Sequence, residues 1–367
     1  MIPASFYYPI YLFIVSIITF FYLSPYYSAS NNNVLIRSRE GKTGPAALLT
    51  FILTLFIAIR PISGDFGDMA GYAMAMVDGR FEGLPITWDC NYIFQPMMGF
   101  LSSIHASQRT PIVILAIINF GCTYWAMKRL FPKDVLLAML VFFGAFSTFG
   151  SATNGLKAGC AAALFLVALA YQEKRIISIL FLILSLGFHH SMQLPIAAYL
   201  VCFFYKNTKV FLYFWVLCLI IAISHITSLM GFLSSYTDAK GSDYLLTESG
   251  SLYSEFEGRL GFRYDFVIYS VIPIVLGYYA IFKKKLVSKE YQFILNVYIL
   301  TNAIWMLCMY ANYTNRIAYL SWLMYPVLII YPFMNMEWGV KANKHLTYAV
   351  YGHLGFTLFM TFIYYVL

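Results

Sequence analysis

Two carboxylates follow the second long apolar stretch of the sequence. Asp65 and Asp68 stand three residues apart in RPISGDFGDMAGY, a spacing that places both on one face if the segment is helical. Such a pair can act as a general base, bind a metal ion or cap the helix that follows. The pair lacks the third ligand that a dedicated metal site requires, so no metal site is predicted.

Five cations stand near the ends of apolar stretches: Arg60, Lys157, Arg259, Arg263 and Arg316. Arg259 and Arg263 are four residues apart, one helical turn, so both guanidinium groups can reach one phosphate. An internal ion pair with Glu255 or Asp265 is the alternative interpretation. Lys157 lies in the short segment NGLK, for which a plain Asn-Gly turn is the alternative.

Two adjacent histidines, His189 and His190, end another apolar stretch in FHHS. On a helix they would point about 100° apart, so they cannot both face one ligand. Histidine has an unperturbed pKa near 6.5, which suits proton transfer at neutral pH. A hydrogen-bonded structural role is the alternative for either ring.

The amino-acid composition indicates what kind of secondary structure positions these carboxylates, cations and histidines. Of the 367 residues, 61% are hydrophobic and only 11% are charged, whereas soluble domains average about 25% charged residues. A soluble enzyme, a nucleic-acid-binding protein and a disordered chain are therefore excluded. The composition predicts an all-α polytopic membrane protein, with residues 1–367 forming one integral membrane domain.

Apolar stretches of about 17 to 23 residues recur along the chain, close to the length that crosses a 30 Å hydrocarbon core. They predict about twelve transmembrane helices, near residues 6–24, 45–62, 110–130, 134–152, 156–172, 176–189, 191–205, 209–231, 264–282, 291–311, 316–336 and 345–366. The fourth to seventh are short, so half-helices or re-entrant pieces are the alternative there.

Lysine and arginine fall mostly in alternate loops, which the positive-inside rule makes cytoplasmic. Both termini then face outward, and two long outer loops remain, residues 63–109 and 231–263. Consistency with the positive-inside rule requires that Tyr92 to His105 lies along the membrane interface, or enters the membrane and returns to the same side. A tilted transmembrane span is the alternative. All the ionisable residues named above then fall at the outer boundary of the membrane.

Cations on the outer side oppose the usual topological bias. Snorkelling of single side chains to the interface is the simple explanation. It fits less well for five cations together, and a shared anionic ligand would account for the whole set.

Several landmarks occur in a fixed order: Arg60-x3-Gly64-Asp65 with Tyr72, Gln95-Pro96, Asn154-x2-Lys157, His190-Ser191, Arg259 with Arg263, Asp265 and Phe266, and finally Arg316. Together they resemble those of Wzy/EpsG-type polysaccharide polymerases, which include the O-antigen polymerases. The resemblance covers most of the chain. The family usually has arginine at the position of Lys157 and often an acid at that of Gln95.

The resemblance implies a GT-C-like membrane glycosyltransferase. It would join undecaprenyl-pyrophosphate-linked repeat units into the O-antigen of lipopolysaccharide or into exopolysaccharide, at the periplasmic face of the bacterial inner membrane. The expected pyrophosphate-binding residues are Arg60, Lys157, Arg259, Arg263 and Arg316. The expected general base is one of Asp65, Asp68, His189 and His190.

The lipid pyrophosphate leaves already charged, so we expect an inverting, metal-independent transfer that needs no cofactor. The expected partners are the lipid-linked glycans and the bacterial membrane lipids, with a chain-length regulator protein as an optional partner and no nucleic acid. A flippase for lipid-linked oligosaccharides and a membrane sugar O-acyltransferase are the alternatives. A flippase predicts ionisable groups at the membrane midplane between repeated halves, and an acyltransferase needs an acyl donor that enters from the cytoplasm.

Overall fold

The computed structural model describes residues 2–28, 42–86, 91–225, 261–311, 313–336, 338 and 341–365. Within these ranges the chain is helical and forms no β-strand. In hydrocarbon every backbone N–H and C=O group must find its partner within the protein, and a helix satisfies them within its own segment. The predicted all-α class is confirmed.

Sixteen α-helices occur in the described ranges, and they are numbered here in chain order. They are α1 Ala4–Ser28, α2 Thr43–Ala58, α3 Asp68–Val77, α4 Phe94–Ser103, α5 Arg109–Leu130, α6 Val135–Phe143, α7 Thr148–Thr153, α8 Leu156–Ala170, α9 Arg175–Phe188, α10 Gln193–Phe204, α11 Thr208–Ile223, α12 Tyr264–Tyr278, α13 Lys289–Leu307, α14 Thr314–Trp322, α15 Tyr325–Asn335 and α16 Ala342–Tyr365. Short 3₁₀ turns cover Gly64–Phe66 and His190–Met192, and a π-helical turn covers Tyr279–Lys283.

Helix is present in each of the twelve predicted spans, but the count of twelve is not confirmed. Five helical stretches are long and apolar enough to cross a membrane: Ala4–Tyr27, Arg109–Leu130, Tyr264–Lys283, Thr314–Asn335 and Ala342–Tyr364. Five further apolar helices have only 10 to 17 residues. The protein is therefore an integral membrane protein. Some of its shorter helices lie in the region where half-helices are the alternative to full spans.

The two predicted outer loops differ in how much of them is described. Helices α3 and α4 lie in residues 63–109 and have 10 residues each, which corresponds to about 15 Å at 1.5 Å per residue. That is about half the hydrocarbon thickness. The interfacial or re-entrant placement of this segment stays a prediction, and nearly all of residues 231–263 lie outside the described residues.

The chain divides into two compact units, and the single membrane domain stays a prediction. The first unit comprises Met1–Met192 with Ile329–Leu367, and the second comprises Gln193–Leu328.

The core of the first unit contains α6, all nine residues of which are buried. The Asp134 carboxylate caps this helix by accepting a hydrogen bond from the Leu137 N–H at 3.0 Å. The Tyr22 and Tyr26 hydroxyls of α1 also donate to this carboxylate, at 2.7 and 2.9 Å. A carboxylate that is only 1% exposed is thus hydrogen-bonded, as a buried charge must be, and it ties α1 to the start of α6.

The predicted span 134–152 is broken. Helix α6 ends before Gly144, and the Thr148 hydroxyl at the start of α7 donates to the Phe142 carbonyl at 2.6 Å. The Phe142 carbonyl also accepts from the Ala145 N–H at 3.1 Å, so this hydroxyl is a second hydrogen bond at the end of the helix. The break leads directly into the short α7 and the turn at residues 154–155.

The second unit is organised by a buried polar network around Asn302 of α13. The Asn302 Oδ1 atom accepts from the Trp215 indole N–H at 2.8 Å, and its Nδ2 atom donates to the hydroxyls of Ser270 and Ser321, both at 3.0 Å. The Trp322 indole N–H also donates to Ser270, at 2.8 Å. Four helices, α11 to α14, are therefore joined by hydrogen bonds that fix how they pack.

Candidate active site

Arg60 follows α2 and has no exposed surface. Its guanidinium donates to the carbonyls of Ile57 and of Thr153, the latter at 3.2 Å, and lies 5.2 Å from the centroid of the Phe66 ring. The side chain therefore links the end of α2 to the end of α7, and it faces backbone carbonyls instead of an open surface.

The two predicted carboxylates have different surroundings. Asp65 is exposed in the 3₁₀ turn, where the Ser63 hydroxyl donates to its Oδ2 atom at 2.8 Å. Asp68 is half-buried at the first position of α3, and its N–H donates to the side-chain Oδ1 of Asn154 at 3.4 Å. Asp68 is thus held against the turn that leads to Lys157.

Gly67 makes the approach of Asp68 to Asn154 possible. Its φ is +56° and its ψ is −117°, a conformation that residues with a Cβ rarely adopt. A Cβ atom at this position would lie 2.0 Å from the Asn154 Oδ1 atom. Only glycine allows this close contact between the start of α3 and the turn at Asn154.

Lys157 lies in the first turn of α8, half-buried. Its Nζ atom is 5.5 Å from the centroid of the Phe94 ring at the start of α4, within the range of a cation–π contact. The Phe94 ring in turn packs against Tyr72 of α3, with 5.1 Å between the ring centroids. Three predicted outer segments, those of α3, α4 and α8, are therefore in contact around this lysine.

The residues before α4 connect this cluster to the histidines. The Asn91 side-chain Oδ1 accepts from the His190 N–H at 3.1 Å, and the Ile93 N–H donates to the Gly187 carbonyl at 2.9 Å. A Cβ on Gly187 would lie 2.6 Å from Ile93 side-chain atoms, so the glycine permits this close packing. The end of α9 is thereby fixed beside the start of α4.

The two histidines are not equivalent. The His189 Nδ1 atom accepts a hydrogen bond from the Ser191 N–H at 3.1 Å. In a neutral ring this places the proton on Nε2, so His189 has no second nitrogen with a free lone pair to accept a proton. His189 is therefore a poor general base in this arrangement, whereas the backbone of His190 is positioned by Asn91.

Three of the predicted residues, Asp68, Lys157 and His190, are brought into one connected cluster in the first unit by Asn154, Phe94 and Asn91. We call these six residues the outer cluster. Asn154 belongs to the NGLK motif, whereas Asn91 and Phe94 are not among the residues predicted from the sequence. An asparagine and an aromatic residue flanking a short apolar segment are the signal that could have identified them.

Two of the predicted arginines lie in the second unit. Arg263 is 5% exposed, pairs with Asp265 through two hydrogen bonds of 3.0 and 2.8 Å, and lies 3.5 Å from the Phe266 ring centroid. The internal ion pair, which the sequence left as the alternative, is therefore formed. Arg316 lies 4.6 Å from the Tyr313 ring centroid, and Arg259 lies outside the described residues. Joint binding of one ligand by these arginines and Lys157 stays a prediction.

The fold defines an integral membrane protein in which the segments that carry Asp68, Lys157 and His190 are linked through Asn154, Phe94 and Asn91. The sequence model of the EpsG family matches residues 46–367, a range that includes the whole cluster. The chain belongs to the EpsG family, and it is a membrane protein of polysaccharide biosynthesis. The resemblance to EpsG-type proteins is thereby confirmed. Neither the curated proteins nor the solved structures give a match.

Proposed function

We propose that this protein is a polysaccharide polymerase. It joins undecaprenyl-pyrophosphate-linked repeat units into O-antigen or exopolysaccharide at the outer face of the bacterial inner membrane. The reaction transfers the growing glycan from its lipid pyrophosphate to a hydroxyl of the next lipid-linked unit. Membership of the EpsG family supports this class of reaction. The proposal includes that the protein is a GT-C-like glycosyltransferase of the Wzy type.

The observation that carries the proposal is the contact through Asn154. This residue accepts the Asp68 N–H at 3.4 Å and stands three residues before Lys157. The start of α3, which carries the Asp68 carboxylate, thereby contacts the turn that leads to the Lys157 ammonium group. Glycosyl transfer from a pyrophosphate requires these two charges, one to accept a proton and the other to stabilise the leaving group.

In the proposed mechanism Lys157 binds the pyrophosphate as a point charge. The acceptor hydroxyl oxygen forms a bond to the anomeric carbon from the face opposite the pyrophosphate, and the bond from that carbon to the phosphate oxygen breaks. The hydroxyl proton passes to Asp68, with Asp65 or His190 as the alternative base. The lipid pyrophosphate leaves with the bonding electron pair, and the anomeric centre is inverted.

The arginines have distinct roles in this proposal. Arg60 positions the end of α7 through the Thr153 carbonyl and does not contact substrate. Arg316 is half-buried in the second unit, where its guanidinium lies over the Tyr313 ring, and its expected phosphate contact stays a prediction. Arg263 is already neutralised by Asp265, so it contributes to binding only when a phosphate replaces that carboxylate.

The test is the lipid-linked glycan content of a strain that lacks the protein. We expect single repeat units on undecaprenyl pyrophosphate to accumulate at the outer face, and long chains to return with the wild-type gene. Lys157→Met should lower chain elongation about 100-fold, the effect of removing one electrostatic contact in an active site. Lys157→Arg should retain most of it.

Lys174→Met is the matched control, because Lys174 is exposed beyond the opposite end of α8 from Lys157. It should leave chain length unchanged. Long chains in the deletion strain would refute the polymerase. Repeat units trapped at the inner face would favour a flippase instead, and a full-length polymer without acetyl groups would favour an O-acyltransferase.

A further inference from the structure

A cavity of about 290 Å³ lies between residues 81–86 and helix α4, within the first unit. Its walls include Phe81, Glu82, Gln95, Gly99, Phe100 and Ser103. The proposed transfer mechanism uses none of these side chains. The volume is near the lower limit for small-molecule sites, so the cavity can hold a short part of a larger ligand.

The lining combines a few polar groups with aromatic surface. The Glu82 carboxylate is positioned by the hydroxyl of the buried Ser102, which donates to its Oε1 atom. Gln95 offers both an amide donor and an acceptor. Phe100 is 63% exposed on α4, and Phe81 provides a second ring. Gly99 brings α4 close to the chain at Phe81, since a Cβ there would lie 2.6 Å from the Phe81 carbonyl oxygen.

The charge of the lining selects among the parts of the expected substrate. Among the described residues that line the cavity there is no Lys or Arg, and the Glu82 carboxylate would repel a pyrophosphate. A polyprenyl tail would bury that carboxylate against hydrocarbon, which costs several kcal/mol. A neutral, hydroxyl-rich ligand fits, because its hydroxyls can bond to Glu82 and Gln95 while its apolar ring faces pack on the phenylalanines.

We propose that this cavity binds a sugar of the acceptor glycan. Glu82 and Gln95 accept hydrogen bonds from its hydroxyls, and Phe100 packs against one face of the ring. The cavity and the outer cluster share helix α4, because Gln95 of the cavity directly follows Phe94, whose ring contacts Lys157. This inference rests on the proposed function, since it assigns to the cavity one of the two substrates of that reaction.

The experiment measures glycan binding by the purified full-length protein in nanodiscs. The probe is the free oligosaccharide of one repeat unit, released from the surface polymer of the host strain. We expect Glu82→Gln and Phe100→Ala each to weaken binding about tenfold, the loss of one charge-assisted hydrogen bond or one well-packed aromatic contact. Phe21→Ala is the control for Phe100→Ala, because Phe21 is similarly exposed, at 69%, on α1.

A second pair of variants tests the shape of the cavity without removing a polar group. Gly99→Ala forces the Phe81 carbonyl away from α4 and should weaken oligosaccharide binding. Gly121→Ala has no atom within 4 Å of the added Cβ and should not. Asp68→Asn should keep oligosaccharide affinity while losing chain elongation, because it removes only the proposed base.

The acceptor site is overturned if the wild-type protein does not bind the oligosaccharide, or if Glu82→Gln and Phe100→Ala both bind it with wild-type affinity. In those cases the polymerase itself still stands when the wild-type gene restores long chains to the deletion strain. The polymerase fails separately if the deletion strain makes long chains without the protein.

Discussion

Replacing Gly67 by alanine is the sharpest perturbation of the outer cluster. The backbone of Gly67 has φ +56° and ψ −117°, and holding a residue with a Cβ in such a region costs of order 1–3 kcal/mol. The new Cβ would also lie 2.0 Å from the Asn154 Oδ1 atom. Since ordinary contacts begin near 3.4 Å, the amide must move by more than an ångström.

That movement breaks the hydrogen bond from the Asp68 N–H, which is already 3.4 Å long. A misplacement of about 1 Å between catalytic groups can cost about 100-fold in rate. We therefore expect Gly67→Ala to shorten the surface glycan to a few repeat units while the protein still reaches the membrane. The assay is gel analysis of glycan chain length, with protein level measured by immunoblot.

Gly64→Ala and Gly71→Ala are the matched controls, because neither added Cβ has an atom within 4 Å. Both should keep wild-type chain length. In the double variant Gly67→Ala with Asn154→Ala, the clash is removed, so stability should partly recover while activity stays low. Wild-type chain length in Gly67→Ala at a normal protein level would refute the proposed geometry of the outer cluster.

Three single variants and one compensating double variant test the packing that supports the sites, each by thermal unfolding of the purified protein. Asp265→Asn removes the charge opposite the buried Arg263 and should cost about 3 kcal/mol, whereas Asp265→Leu combined with Arg263→Met should recover most of this loss. Asn302→Leu leaves the buried Trp215 indole N–H without its acceptor and should cost about 1–3 kcal/mol. Gly159→Ala, whose Cβ would lie 2.3 Å from the Ser151 carbonyl oxygen, should cost about 1–3 kcal/mol through overpacking. An unfolding temperature equal to that of the wild type in any of the three single variants would contradict the corresponding contact.

The sequence predicts the helices well because hydropathy is a local property of the chain. Each apolar stretch becomes helical, whatever its neighbours are. Helix ends within a stretch depend on contacts that hydropathy does not record. The break after Phe143, for example, is stabilised by a hydrogen bond from the Thr148 hydroxyl to the Phe142 carbonyl. The predicted span 134–152 therefore consists of two short helices.

The site is predicted less completely, because the position of a charge in the sequence does not identify its partner. The positions of Arg60 and Arg263 do not reveal that one donates to backbone carbonyls and the other pairs with Asp265, and phosphate binding by either stays a prediction. The sequence offers both His189 and His190 as candidate bases and does not show that the His189 Nδ1 atom accepts a hydrogen bond from the Ser191 N–H. Long-range contacts such as that of Lys157 with Phe94 require the fold.

The central claim is that this chain alone catalyses glycan elongation through the outer cluster. The most direct measurement uses the purified protein in liposomes, supplied only with undecaprenyl-pyrophosphate-linked repeat units. We predict a ladder of elongated lipid-linked glycans with the wild-type protein and none above the single unit with Lys157→Met or Asp68→Asn. A ladder of equal length from both variants, or no ladder from the folded wild-type protein, would contradict the account.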